Sequence, residues 1–132
     1  MKPICTINYR GDKFWYLNDK LHREDGPAVE YASGTKIWYI NGKLHREDGP
    51  ASEYASGFKE WYLNGVLHRE NGPAYECSNG TKAWYKNGLF HREDGPAIEL
   101  STGEKTWYYY GKHIDCKNNQ EFSRMIKLMV FL

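Results

Sequence analysis

Tryptophan recurs every 23 residues along this chain, and the fixed period limits the folds that the chain can adopt. The five copies are Trp15, Trp38, Trp61, Trp84 and Trp107. The segment LHREDGPA accompanies them at residues 21–28 and 44–51, and it returns as LHRENGPA and FHREDGPA at residues 67–74 and 90–97. A constant period of this length is typical of arrays in which each unit buries apolar surface only against its neighbours. We therefore expect stacked units that present one surface several times.

Each unit carries the signals of short strands joined by tight turns. In the copy at residues 26–48, Ala28–Tyr31 and Lys36–Ile40 are rich in β-branched and aromatic residues, and a glycine-containing loop separates them. Asn41-Gly42 then indicates a type I′ hairpin turn, because both central positions of that turn need a positive φ. Closely spaced glycines disfavour helices within the repeats. The predicted fold class is all-β, an elongated antiparallel meander of 23-residue β-hairpin repeats.

Alternation along the second strand of the unit predicts which residues share a face. Lys36, Trp38 and Ile40 are expected on one face, and Ile37 and Tyr39 on the other. The residue before tryptophan varies between units, whereas tryptophan is constant. We therefore expect the variable position to face solvent and the indoles to pack together along the array.

The end of the chain departs from the repeat. We expect residues 1–116 to form the array and residues 117–132 to form a short helix, with an asparagine as N-cap. Its apolar stripe is Phe122, Met125, Ile126, Met129 and Val130. The favoured interpretation is that the helix caps the open edge of the sheet. The alternative is that the helix binds a partner or lies on a membrane. It is less favoured, because beyond the N-cap Arg124 and Lys127 are the only basic residues of the helix that could attract an anionic membrane surface.

Composition excludes several classes of function. The net charge of +1 predicts no bulk attraction to a nucleic-acid duplex or to an anionic membrane, and no apolar stretch is long enough to span a bilayer. The three cysteines are odd in number and occupy different phases of the repeat, so a disulfide framework is not expected. The chain also begins without the apolar run of a secretory signal. Together these features predict a cytoplasmic location.

The order of residues in each unit resembles the MORN repeat (membrane occupation and recognition nexus). The resemblance covers Tyr9 to Ile114 and rests on the cadence of residues 38–57, WYINGKLHREDGPASEYASG. It implies an elongated β-hairpin array used for protein contacts, and sometimes lipid contacts, without a defined catalytic chemistry. The segment Arg-Glu-Asp-Gly-Pro replaces the usual short glycine turn and is similar to a variant subgroup of bacteriophages and large DNA viruses. That variant implies a phage or viral protein acting in the host cytosol.

The leading functional hypothesis is a non-enzymatic module that binds a host protein partner through an aromatic-rich face. The aromatic content is 16%, and tyrosine and tryptophan dominate binding hot spots in protein interfaces. The candidate partner-binding residues follow each tryptophan. They are Tyr16, Tyr39, Tyr62, Tyr85 and Tyr108.

The alternative is sequestration of a nucleotide-like or other anionic small molecule, as an anti-defence sponge would do. A repeated pair of histidine and arginine beside aromatic rings would bind an anionic, planar group by charge-assisted bonds and stacking. The candidate ligand-binding residues are His22, Arg23, His45, Arg46, His68, Arg69, His91 and Arg92.

The segment His-Arg-Glu-Asp also has a structural interpretation, which we favour over a functional one. Asp48-Gly49-Pro50 is typical of a turn, and Arg46 and Glu47 are expected to pair with the same residues of the next unit in a charge ladder. No catalytic constellation, metal site or cofactor site is expected, since a reaction centre needs different residue types brought together. The one-off residues Lys112, His113 and Asp115 would be the first place to look for one. Self-association through sheet edges or the C-terminal helix stays open.

Overall fold

The computed structural model describes residues 1–130 and consists of short antiparallel strands followed by one helix. Phe131 and Leu132, the last residues of the predicted helical segment, lie outside the described residues. The elements are β1 (Ile4–Ile7), β2 (Lys13–Leu17), β3 (Lys20–Leu21), β4 (Val29–Glu30), β5 (Lys36–Ile37), β6 (Tyr39–Ile40), β7 (Lys43–Leu44), β8 (Ser52–Glu53), β9 (Lys59–Glu60), β10 (Tyr62–Leu63), β11 (Val66–Leu67), β12 (Tyr75–Glu76), β13 (Lys82–Ala83), β14 (Tyr85–Lys86), β15 (Leu89–Phe90), β16 (Ile98–Glu99), β17 (Lys105–Tyr109), β18 (Lys112–Ile114) and α1 (Asn119–Val130).

One long sheet runs through the whole array. Its strand order is β1-β2-β4-β5-β8-β9-β12-β13-β16-β17-β18, and the neighbours are antiparallel. The first hairpin of each unit supplies two adjacent strands, for example β4 and β5, in which Val29 pairs with Ile37. The all-β meander of hairpin repeats that the period predicts is therefore confirmed.

The second hairpin of each unit forms a separate row beside this sheet. Strand β6 pairs with β7, β10 with β11 and β14 with β15, each as a two-stranded unit. Successive hairpins of the row are joined by backbone bonds. Arg23 N donates to Tyr39 O over 3.1 Å, and Gly42 N donates to Leu21 O over 2.8 Å. The array thus consists of two hairpin rows side by side, and each repeat contributes one hairpin to each row.

The predicted single strand Lys36–Ile40 is wrong in the interior units, because the strand is interrupted at Trp38. The cause lies in the strand opposite. Trp38 N donates to Ala51 O over 2.7 Å, while Trp38 O accepts from His45 N over 3.1 Å. Residues 46–50 leave the sheet between these two bonds, so the neighbouring strand changes from β8 to β7 at the tryptophan. In the first and last units β2 and β17 stay continuous.

The turn of the second hairpin has the conformation that its sequence predicts. Asn41 has φ 50° and Gly42 φ 78°, so both central residues are left-handed, as a type I′ turn requires. Asn64-Gly65 and Asn87-Gly88 repeat this geometry. The rows therefore stay in register because each unit closes with the same turn.

The C-terminal helix packs on the last strands of the array. The side-chain oxygen of Asn118 accepts from Glu121 N over 2.9 Å, which is the predicted N-cap. Phe122 is 1% exposed and packs with Trp107 and Ile114, and Met125, Ile126 and Met129 border this cluster. Val130, the last residue of the predicted apolar stripe, is 66% exposed and does not belong to this cluster.

The other end of the long sheet is an open edge. All four residues of β1 are exposed, and the side chains of Ile4 and Ile7 are 72% and 63% exposed. Strand β1 pairs on one side only, with β2. The array is therefore capped at its C-terminal end and uncovered at its N-terminal end.

Candidate functional site: the two faces of the array

The tryptophan face carries an arginine clamp in each of the first four units. The Arg46 guanidinium carbon lies 3.8 Å from the centroid of the Trp38 ring, a cation–π contact. Its Nη1 donates to the carbonyl of Pro50 over 3.1 Å and to Glu53 over 3.0 Å, and its Nε donates to Asp48 over 2.9 Å. The excursion at residues 46–50 thus closes around its own arginine. The equivalent arginines over Trp15, Trp61 and Trp84 are Arg23, Arg69 and Arg92.

The expected ladder of arginine and glutamate between units does not form. Arg46 finds its acids in Asp48 and Glu53, not in the Glu70 that repeats Glu47 one unit along, and Glu47 lies 3.6 Å from Nε2 of His45. The fold explains this difference. The excursion bends the chain back over the tryptophan, so the nearest carboxylates are two and seven residues away and not one unit away.

The indoles lie in file but are not packed on one another as expected. Among the ring pairs of residues 1–130, none joins two tryptophans. The arginine clamp covers the face of each of the first four rings, and Trp107 instead packs against the helix and donates from Nε1 to Asn119 over 2.9 Å. The tryptophan period therefore reflects one clamp per unit.

The repeated histidines join neighbouring units. Nδ1 of His22 accepts from the backbone N of Asn41 in the next unit over 3.0 Å, and His45, His68 and His91 accept in the same way from Asn64, Asn87 and Tyr110. Because Nδ1 is the acceptor, the proton of the neutral ring lies on Nε2. That nitrogen points toward the glutamate two residues on, at 3.6 Å for Glu24 and 2.7 Å for Glu70. The histidine row therefore holds the second row of hairpins together.

The tyrosine face lies on the opposite side of both rows. In the second row of hairpins it comprises the residue after each tryptophan and the cross-strand partner of that residue, for example Tyr39 and Leu44. In the long sheet it comprises Val29, Tyr31 and Ile37 and the residues at the same positions of the other units. Tyr39, Tyr62, Tyr85 and Tyr108 are half-buried and Tyr16 is 38% exposed. Desolvation and the neighbouring hydroxyls of Tyr31 and Tyr54 raise the pKa of Tyr39, so these rings share one face.

Aromatic contacts continue along this face. Tyr85 lies 4.5 Å from Phe90, and Phe90 lies 5.0 Å from Tyr108, measured between ring centroids. In the long sheet, Phe58 bridges Tyr54 at 5.2 Å and Tyr75 at 4.8 Å. Such tilted and edge-to-face pairs add about 0.5–1.5 kcal/mol each beyond their buried area. The face is consequently an ordered surface on which part of each tyrosine stays accessible.

The residue before tryptophan faces this surface and not open solvent, so that expectation is wrong. Ala83 is 6% exposed, and Ile37 and Glu60 are half-buried at the same phase. Burial raises the pKa of the Glu60 carboxyl, although the Tyr62 hydroxyl donates to Glu60 Oε2 over 3.1 Å and opposes that shift. Among the five residues that directly precede a tryptophan, Glu60 is the one carboxylate.

The structure thus places the two sets of predicted residues differently. The tyrosines share a continuous, partly accessible face, whereas the histidines and arginines bond to the backbone, acids and indoles of the array itself. Sequence reasoning missed Glu60, whose signal was a single acid at a phase otherwise filled by Phe14, Ile37, Ala83 and Thr106. Lys112 and His113 lie exposed in β18, next to Tyr109 and Tyr108 of β17.

The described residues offer neither a metal site nor a membrane-spanning helix. Residues 1–130 contain no group of three or more His, Cys, Asp or Glu side chains arranged to hold a metal ion. Within the same range no helix has the length and apolar character needed to cross a membrane. The sequence matches no known family profile, and no curated protein is similar enough to count as a relative.

Proposed function

We propose that this chain is a non-enzymatic interaction module that binds an extended segment of a protein partner on its tyrosine face. The observation that carries the proposal is the continuous row of half-buried tyrosines with one desolvated carboxylate, Glu60, among them. Tyrosine and tryptophan anchor interfaces because they bury large area at a low entropic cost. Regular spacing along the array suits a partner in an extended conformation.

The chemistry around Glu60 specifies the partner further. The hydroxyl of Tyr62 bonds to Glu60, and the carboxylate influences the ionisation of Tyr54, Tyr75 and Tyr85 as well. A carboxylate ringed by aromatic side chains favours a cation, through charge and through the negative faces of the rings. The proposed partner segment therefore carries a lysine or arginine that seats at Glu60.

The MORN resemblance is part of this proposal. Hairpin units of 23 residues and the Trp-Tyr cadence support a MORN-like array, and the segment HREDGPA favours the phage and viral variant. In that setting the partner is a host protein in the host cytosol.

Titration with synthetic peptides tests the proposal. Extended decapeptides that differ only in a central Lys, norleucine or Glu are titrated by fluorescence polarisation against the wild type, Glu60→Gln and the control Glu47→Gln. Glu47 lies exposed on the opposite face. We expect the Lys peptide to bind the wild type best, to weaken roughly tenfold with Glu60→Gln, and to be unaffected by Glu47→Gln. Equal binding of all three peptides, or no dependence on Glu60, would overturn it.

A second candidate, pairing of two copies edge to edge through β1, is supported by the exposure of Ile4 and Ile7 on an unpaired edge. Sedimentation equilibrium of the wild type and of an Ile4→Lys/Ile7→Lys variant tests it. A dimer that the two lysines abolish supports edge pairing, and a monomeric wild type at high concentration excludes it.

A further inference from the structure

Grooves repeat along the tryptophan face between successive excursions. The groove between the first two excursions is lined by Arg23, Glu24 and Asp25 from one unit and by the equivalent Arg46, Glu47 and Asp48 from the next. Two guanidinium groups there face four carboxylates. Its chemistry is therefore acidic, and it offers little to an anion.

One groove differs from this pattern, and we call it the Asn71 groove. It lies between residues 69–72 and 84–94 and has a volume of about 730 Å³. Asn71 stands where the other units have an aspartate, and Lys86 stands where Leu17, Ile40 and Leu63 occur. The two changes leave three cations, Arg69, Lys86 and Arg92, against the three carboxylates Glu70, Glu93 and Asp94. Relative to the first groove, the formal charge has risen by two units.

The change to Asn71 releases a donor on Arg69. In the three other clamps the arginine Nε donates to the aspartate two residues on, at 2.9–3.1 Å. Arg69 keeps its bonds from Nη1 to the Pro73 carbonyl and to Glu76. Within residues 1–130 its Nε has no hydrogen-bond acceptor.

A second unused donor lies in the same groove. Nδ1 of His91 accepts from Tyr110 N over 2.8 Å, so the proton is on Nε2. The His91 side chain is buried, with 6% exposure. Its Nε2 has no hydrogen-bond partner among the described residues. Buried polar groups without partners are rare in proteins and cost about 1–3 kcal/mol each. The nearest acceptor in residues 1–130 is Glu93, at 3.4 Å, so this N–H is open to a stronger acceptor that enters the groove.

The three carboxylates of the groove do not block an anion, because two of them are bonded to cationic or histidine side chains and the third is exposed. Glu70 lies 2.7 Å from His68 Nε2 and 3.7 Å from Lys86 Nζ, and the neighbouring His68 and Lys86 lower the pKa of its carboxyl. Asp94 accepts from Arg92 Nε over 2.9 Å. The side chain of Glu93 is 64% exposed and lies 3.4 Å from His91 Nε2, so it can turn away when a stronger acceptor arrives.

From these observations we propose that the Asn71 groove binds one oxyanion, the phosphate group of a phosphorylated small molecule. The donors are the Nε–H of Arg69, the ammonium of Lys86 and the Nε2–H of His91. A phosphate offers several acceptor oxygens and two negative charges, which suits separate donors converging from two units. The site is single because only this groove carries both substitutions. It lies on the face opposite the tyrosines, so its failure and the failure of the peptide-binding proposal are independent.

Residues from the neighbouring units provide matched variants. Asn71→Asp/Lys86→Leu gives the groove the residues that the array already uses elsewhere, so the fold is retained and circular dichroism checks that it is. Asp48→Asn/Leu63→Lys installs the same two changes in the adjacent groove, which is lined by Arg46, Asp48, Leu63, His68 and Arg69.

Isothermal titration with inorganic phosphate, and separately with adenosine monophosphate, tests the proposal. We expect one equivalent bound by the wild type and affinity at least roughly tenfold weaker in Asn71→Asp/Lys86→Leu. Asp48→Asn/Leu63→Lys should bind a second, weaker equivalent, because Glu70 already lies 2.7 Å from Nε2 of His68 in that groove. If inorganic phosphate binds as well as the ester, the ligand is phosphate itself, and tighter binding of the ester identifies a phosphorylated molecule. Absence of binding by both probes at millimolar concentration, equal binding by the wild type and Asn71→Asp/Lys86→Leu, or saturation at four equivalents would overturn it.

Discussion

The guanidinium of Arg46 lies 3.8 Å from the centroid of the Trp38 ring and bonds at the same time to the Pro50 carbonyl. This one side chain therefore fixes both the indole and the excursion that follows it. The side chain of Arg46 is 21% exposed, so these contacts are largely shielded from water. The exposed Asp48 adds little to the stability of the clamp, because solvent screens ion pairs at the surface.

We expect Arg46→Ala to lower the free energy of unfolding by about 2–3 kcal/mol, because it removes the cation–π contact and the bonds to Pro50 and Glu53. Arg46→Lys should lose about half as much, since lysine keeps the charge but lacks the planar fork. Urea denaturation followed by tryptophan fluorescence measures both. Lys43→Ala, at an exposed position, is the control. Equal stability of Arg46→Ala and the wild type would refute the clamp as a source of stability.

The glycine of the excursion is required by the arginine above it. A Cβ at Gly49 would lie 2.9 Å from the Arg46 guanidinium carbon, closer than real contacts allow. Gly49→Ala should therefore destabilise the wild type by about 1–3 kcal/mol, the usual range for overpacking. In an Arg46→Ala background the same change should cost much less. A double-mutant cycle in urea measures this coupling, and additive losses would show that the glycine serves the backbone alone.

Stability should fall with mild acid through His91. Burial lowers the pKa of His91 below its ordinary value of 6.5, and Lys86 acts in the same direction while Glu93 opposes it. The folded state thus holds the ring neutral, and the unfolded chain takes up the proton first. The free energy of unfolding should decrease as the pH falls through about 6.5 and level off below the folded pKa.

The variant His91→Asn tests whether His91 causes this pH dependence of stability. His91→Asn presents its side-chain oxygen near the position of Nδ1 and does not titrate, so its stability should depend less on pH between 7 and 5. His113→Asn, at an exposed position, should retain the wild-type dependence. Thermal melts across this pH range measure all three chains, and identical profiles for His91→Asn and the wild type would contradict the assignment.

Removal of the cap should destabilise the last unit. Phe122 is 1% exposed against Trp107 and Ile114, so Phe122→Ala should cost about 3–5 kcal/mol. Leu128→Ala on the same helix should be nearly neutral, because Leu128 is 67% exposed. Hydrogen exchange locates the effect, with loss of protection expected first in β17 and β18. Protection lost uniformly along the array would mean that the helix does not act as a local cap.

Local signals in the sequence predicted the elements that local chemistry determines. The type I′ turn at Asn41-Gly42 and the Asn118 cap depend on residues adjacent in sequence, and both were recognisable. The break at Trp38 was not, because it arises where the neighbouring strand changes from β8 to β7. The role of His45 was missed for a similar reason. Its acceptor nitrogen bonds to a residue 19 positions away, a distance that alternation patterns do not report.

The faces were predicted in part. Trp38 and Ile40 do line one groove, as alternation indicated. The variability of the position before tryptophan was misleading, because this face accepts side chains that differ in both size and charge, namely Ile37, Glu60 and Ala83. The accessibility of the tyrosines followed from their phase, but the surroundings of Glu60 include rings of two units, such as Tyr62 and Tyr75, which no local sequence signal brings together.

Each repeated histidine accepts a hydrogen bond only from the turn of the next unit. A gene encoding such units can gain or lose one 23-codon copy by unequal recombination, and the remaining turns and histidines would still meet in register. Length can therefore change in evolution without a redesign of the interior. A change confined to one copy, as at Asn71 and Lys86, gives one stretch of such an array a chemistry that the other copies lack.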